Sequence, residues 1–184
     1  MIRTFIALPL PDSVKQALEE TIQSLRRHID ARWVRPEAMH LTLKFLGDIA
    51  EDLVPALGHG LDEICAGYPE MAFSLDVLGA FPGRKRARII WTSLNGSIKE
   101  LASLAEQVDR LCGRYGVRHE TRAFRPHITL GRLKTPTMVE LEGTRPGRQF
   151  RVAEAHLYRS ELLREGPRYT VLHVSRFGML QKEG

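Results

Sequence analysis

Cysteine is nearly missing, with only Cys65 and Cys112 in 184 residues. Neither sits in a metal-ligand spacing, so a disulfide-stapled scaffold and a cysteine-rich zinc module are both excluded, and each thiol falls inside a helical pattern as a reduced core residue. Long apolar runs are missing too. The opening Met1-Ile2-Arg3-Thr4-Phe5-Ile6-Ala7-Leu8 is too short in its apolar run for a signal peptide or a membrane span, and a cytoplasmic protein without a membrane partner is expected. No low-complexity tract argues for disorder, and no break in composition divides the chain. The length fits one domain of ordinary size spanning residues 1–184, or two small lobes sharing a core, and a monomer is expected.

Charge is present in excess of one sign, a net +5, and it is unevenly placed. Residues 1–92 hold 11 Lys/Arg against 12 Asp/Glu, while residues 93–184 hold 16 against 10. Of the 27 basic residues 21 are arginine, whose planar fork grips phosphate through paired hydrogen bonds. A polyanionic partner such as RNA fits that bias, although a solvated arginine-rich surface explains the charge equally well.

Apolar periodicity predicts a strand over 2–8 and a helix over 12–29 with Val14, Leu18, Ile22, Leu25 and Ile29 inward. A strand from His40 stops at Gly47, and Asp48-Ile49-Ala50-Glu51 reads as the capping box of a second helix. Two strands, 71–79 and 87–94, flank a basic turn at 81–86 and suggest a hairpin. Ser97-Ile98-Lys99-Glu100 opens a helix over 97–115. An arginine-rich connection over 118–125 leads to another strand, and two more, about 149–162 and 168–177, flank a turn at Glu165-Gly166-Pro167. About seven strands and three helices, strand-rich after residue 70, indicate an α+β fold with antiparallel sheet.

One pattern occurs twice. His40-Leu41-Thr42-Leu43 and His127-Ile128-Thr129-Leu130 lie 87 residues apart, each on a strand that comes after a long helix, and this suggests two related lobes. Alternation puts His and Thr on one face of each strand and the apolar pair in the core. His119-Glu120-Thr121 and His173-Val174-Ser175 share the bare His-x-Thr/Ser spacing without the apolar context. By the same parity Arg125, Lys44 and Gly131 face the cleft, whereas Arg132 points away unless a bulge intervenes.

Two imidazoles, with an ordinary pKa of ~6.5, can serve as base and acid on opposite sides of a phosphorus atom. His40 and His127 are the candidate pair. The hydroxyls of Thr42 and Thr129 can donate to the non-bridging oxygens, and Arg125 is the candidate cationic phosphate ligand.

These residues, with the Phe45-Leu46-Gly47 extension and the Arg125-Pro126 lead-in, resemble the paired motifs of the two-histidine (2H) phosphoesterases. Within that superfamily the chain is most similar to the RNA 2′,3′-cyclic phosphodiesterases, also called 2′-5′ RNA ligases. The likeness extends to Arg3-Thr4-Phe5-Ile6-Ala7-Leu8, Ile90-Trp91 and Gly166-Pro167-Arg168-Tyr169. The resemblance implies a bilobal α+β fold with pseudo-twofold lobes of antiparallel sheet, helices outside and a central active-site groove. It implies opening of RNA 2′,3′-cyclic phosphate ends to 2′-phosphates with no metal and no cofactor, His127 as proton acceptor and His40 as proton donor, and a reverse condensation forming 2′-5′ links. The substrates it implies are RNA ends, including tRNA fragments, or small cyclic nucleotides.

Other readings stand beside this one. Two histidines can hold zinc, but a catalytic zinc site usually has three protein ligands. Thr42 and Thr129 serve β propensity as well as catalysis, and Arg125 suits a surface ion pair. His28, His59, His119, His156 and His173 read as structural, and Trp33, Trp91 and Phe5 as core residues that could otherwise stack on a base. A non-catalytic RNA-end-binding module is the remaining class, and it would tolerate loss of either histidine.

Overall fold

In the computed structural model, residues 1–141, 146–164 and 166–178 are described. Among them nine strands and three α-helices run along the chain in the order β1 (Ile2–Pro9), α1 (Asp12–Leu25), β2 (Arg32–Trp33), β3 (His40–Ile49), α2 (Val54–Ala66), β4 (Met71–Phe81), β5 (Ala87–Gly96), α3 (Ile98–Arg114), β6 (Ile128–Thr137), β7 (Gln149–Val152), β8 (Glu154–Leu163) and β9 (Gly166–Arg176). The α+β class is as expected: two antiparallel sheets, ordered β3-β1-β8-β9 and β2-β6-β5-β4-β7.

The second sheet repeats the first. β1-α1-β3 and β5-α3-β6 are both units of strand, long helix and strand in which the two strands pair antiparallel. Each sheet continues from that pair through one long strand to an edge, β8-β9 in one and β4-β7 in the other. The two strands that carry the tetrads, β3 and β6, lie against each other where the sheets meet. Helix α2 covers β8 and β9, and α3 packs on β3.

Alternating burial holds each tetrad in register. Leu41 and Leu43 on β3, and Ile128 and Leu130 on β6, are buried in the common core. A slip by one residue would expose both apolar partners, at ~1.5–3 kcal/mol each. The cysteines lie on α2 and α3 as expected, fully buried and unpaired, and burial pushes both thiols up to about 12.

Several boundaries differ from expectation. Helix α1 ends at Leu25, and a turn over 26–28 carries the chain on while Ile29 still reaches the core. Gly47 does not stop its strand: at φ +72° it takes a conformation that glycine tolerates, and β3 runs on to Ile49. Asp48 therefore pairs with Arg3 in the sheet instead of capping a helix, and α2 begins at Val54 after a 3₁₀ turn. Ser97 precedes α3, but its hydroxyl accepts a hydrogen bond from the Ala72 amide. The stretch 149–162 is two strands in different sheets, parted at Ala153. Of the turn expected at 165–167, Glu165 lies outside the described residues.

Candidate active site

His40 opens β3 and His127 immediately precedes β6. Each ring makes the same local contact: His40 Nδ1 to the Ala38 carbonyl at 2.8 Å, and His127 Nδ1 to the Arg125 carbonyl at 2.7 Å. A carbonyl can only accept, so Nδ1 carries the hydrogen in both rings and Nε2 is left for the groove. The rings are close enough to feel each other. Burial holds His40 down to about 4, against the favourable Ala38 hydrogen bond, and electrostatic repulsion from His127 and Arg132 lowers it further.

Each tetrad strand carries a β-bulge at the same place. Ala7 pairs with Thr42 and Ile6 with Lys44, so Leu43 is the extra residue; Trp91 pairs with Thr129 and Ile90 with Gly131, so Leu130 is. A bulge inverts the parity of the residues beyond it. Lys44 and Gly131, expected in the cleft, therefore turn away from it. Lys44 is buried at 8% exposure, where it donates to Asp109 on α3 and to the Arg118 carbonyl. Gly131 lies under Trp33, whose ring would stand 2.8 Å from a Cβ built there.

The same inversion brings Phe45 and Arg132 to the groove face. Phe45 lies 5.9 Å from Phe5, and the charge of Arg132 reaches both His40 and the Tyr169 phenol. Arg125 gains no such placement, because β6 begins at Ile128 and strand parity does not extend to it. Its side chain is exposed, and its carbonyl is what holds His127. Thr42 and Thr129 are half-buried, and neither hydroxyl has a hydrogen-bond partner among the described residues.

Aromatic rings back both histidines. Phe5 lies 4.7 Å from His40 and stacks on Tyr158 at 5.0 Å, while Tyr169 meets His40 edge-on at 5.3 Å. Phe5 is 2% exposed, so it is a core residue as expected, with its ring as the floor beneath His40. The Tyr158 hydroxyl meets His156 Nδ1 at 3.0 Å, and the other nitrogen of that ring meets Glu154 at 2.7 Å. Burial, with the Glu154 carboxylate adding, pushes the Tyr158 phenol up to about 12. Behind His127 stand Phe81 at 5.1 Å and Trp91 at 6.3 Å. Tyr158, Tyr169, Phe81 and Arg132 were not among the candidate site residues of the sequence.

Of the other histidines, His28, His59 and His119 are exposed, and two make ion-pair contacts with aspartates. His173 bonds Asp62 at 2.9 Å, and His119 bonds Asp109 at 2.8 Å. Burial would raise the Asp109 carboxyl, but hydrogen bonds from Lys44, His119 and the Glu120 amide hold it down at about 2. Among the described residues no group of three or more His, Cys, Asp or Glu is placed to hold a metal ion. None of their helices is long and apolar enough to cross a membrane. Two surface concavities, one of about 570 Å³ beside Arg26, Arg27 and Trp33 and one of about 540 Å³ beside Tyr68, contain neither tetrad histidine. Depth alone does not locate the chemistry here.

Two repeated sheets that meet along twin His-x-Thr strands, with Nδ1 of each ring tied to the carbonyl two residues back, match the two-histidine class of phosphoesterase. The chain belongs to the LigT-like phosphoesterase family, whose model matches residues 8–91 and 94–169. It is 31% identical to an RNA 2′,3′-cyclic phosphodiesterase of Methanothermobacter thermautotrophicus, over 95% of this chain and 98% of that protein. It is also 31% identical to the protein of the same name from Thermotoga maritima, over 96% of each chain. The crystal structure of E. coli LigT complexed with 3′-AMP superposes with a TM-score of 0.82 at 29% identity, covering 96% of this chain and 98% of that one.

Proposed function

We propose that this chain opens RNA 2′,3′-cyclic phosphate ends to 2′-phosphates, with His127 and His40 as its proton acceptor and donor and with no metal. Water attacks phosphorus as His127 Nε2 takes its proton. The bond from phosphorus to O3′ breaks, and the proton on His40 Nε2 passes to O3′, leaving a 2′-phosphate and a 3′-hydroxyl. The observation that carries this reading is the matched pair of Nδ1 hydrogen bonds, which leaves both Nε2 atoms free for substrate.

His40 has to arrive at the transition state protonated, and burial of its ring opposes that. The phosphodiester anion supplies the missing opposite charge, so His40 gains its proton as substrate binds. The free hydroxyls of Thr42 and Thr129 donate to the non-bridging oxygens. Arg132 is the cation placed to offset their charge, and Arg125 is a second candidate two residues before His127. With a ribose 5′-hydroxyl in place of water as the nucleophile, the same pair joins the 2′,3′-cyclic end in a 2′-5′ link as O3′ leaves, although water in excess favours hydrolysis. Both histidines come from one chain, so a monomer suffices.

The test is a 3′-labelled RNA bearing a 2′,3′-cyclic phosphate, incubated with the protein in EDTA. A 2′-phosphate product is expected. A 3′-phosphate, or loss of turnover in EDTA, overturns the proposal, and binding without turnover would make the chain a non-catalytic RNA-end-binding module.

A further inference from the structure

Strand β2 is only two residues long, yet it fixes a specific register. Trp33 pairs with Gly131 and Arg32 with Arg132. The first of these pairs depends on glycine, because a Cβ at 131 would press on the Trp33 ring. The second puts two guanidiniums at directly opposite positions, with Cα atoms ~4.5–5.5 Å apart and side chains on one face of the sheet. That face is the one that carries Thr129, because the bulge at Leu130 brings Arg132 to its side of the sheet, and the charge of Arg132 acts on His40 and Tyr169 from there.

Like charges directly opposite on neighbouring strands repel. Neither the Arg32 nor the Arg132 guanidinium has a hydrogen-bond or ion-pair partner among the described residues, so no carboxylate of those residues offsets the pair. An anion that accepts from both forks would do so, and a phosphodiester has the matching geometry.

We infer that Arg32 grips the internucleotide phosphate on the 5′ side of the cyclic end, beside Arg132, whose five donors reach from that phosphate to the cyclic one, so that an oligonucleotide is a better substrate than a cyclic mononucleotide. The inference rests on the proposed activity and narrows its substrate class. Arg32 is exposed and lies outside the tetrads. It acts at the added phosphate, while the Trp33–Gly131 contact holds it there.

The experiment compares kcat/KM on cytidine 2′,3′-cyclic phosphate with that on the dinucleotide ending in the same group, for wild type and Arg32→Gln. A methylphosphonate dinucleotide, neutral at the bridging phosphate, is the third substrate. Wild type is expected to prefer the charged dinucleotide about 10-fold, and Arg32→Gln and the neutral linkage should each remove most of that preference without adding to one another. Equal losses on mononucleotide and dinucleotide, or a preference that survives Arg32→Gln, overturn the inference.

Binding of a labelled oligonucleotide is measured in parallel, so that the inference can fail or stand apart from the activity. Arg32→Gln should lower the salt slope by ~0.7, the value for one single-strand phosphate contact. Turnover that is absent in wild type beside a reduced slope overturns the proposed activity and upholds the grip. An unchanged slope overturns the grip, whatever the turnover.

Discussion

The two tetrads have the same backbone and different neighbours. Both histidines donate Nδ1 to the carbonyl two residues back, and both strands bulge three residues after the histidine. Beyond the bulge the halves diverge. Where β3 has buried Lys44 and exposed Phe45, β6 has Gly131 and Arg132. His40 is backed by Phe5, Tyr158 and Tyr169, and His127 by Phe81 and Trp91. A repeated frame therefore fixes where two imidazoles stand, while the residues around them put two tyrosines and a phenylalanine beside one and a phenylalanine and a tryptophan beside the other, and give only β6 a guanidinium beyond its bulge. Two equivalent histidines can take opposite proton roles only if their surroundings differ.

The largest break in that comparison is removal of either imidazole. His40→Ala and His127→Ala should each lower turnover of a 2′,3′-cyclic end by ~10²-fold or more, the size of a general acid or base contribution. The roles separate with a better leaving group. On an aryl phosphodiester, which departs without a proton, His40→Ala should recover most of its loss and His127→Ala none. Equal recovery would show that the assigned polarity is wrong.

Next comes the residue after the bulge. Lys44→Met leaves Asp109 and the Arg118 carbonyl without their buried donor and should cost about 2 kcal/mol in urea unfolding, below the 3–5 kcal/mol of a fully buried pair because Asp109 is partly solvated. A change under 0.5 kcal/mol would mean that the ion pair does not hold the loop before His127 in place. One position further on, Arg132→Gln should lower kcat/KM about 10-fold, and Phe45→Gln much less. Equal losses would erase the division between the halves.

The smallest effect is on acid stability. The His40 pKa is held down to about 4 against an ordinary ~6.5, so its neutral form favours the folded state. That stability is whole above pH ~6.5 and is lost as pH falls from there towards 4. Allowing for solvent at the half-buried ring, the loss is on the order of 1 kcal/mol. In His40→Gln the fall in unfolding free energy between pH 7 and pH 4.5 should be smaller by that amount, and an NMR titration of the wild-type ring should give a midpoint well below 6.

The sequence by itself determined the α+β class, nearly every strand and helix, and the paired histidines and threonines, because alternation in Leu41 and Leu43, and in Ile128 and Leu130, is a local property that burial enforces. It also held a sign of the bulges that the expected parity overlooked: the next buried apolar residues are Leu46 and Leu133, each three positions on where an unbroken strand would step two. Counting that step would have sent Lys44 inward and brought Arg132 to the groove. Only the tertiary structure decided that 149–162 divides between two sheets, that Tyr158 and Tyr169 stand beside His40, and that Arg32 faces Arg132. Those juxtapositions depend on which strands pair across long stretches of chain, and pairing is settled by the packing of the whole core and not by the residues of any one segment.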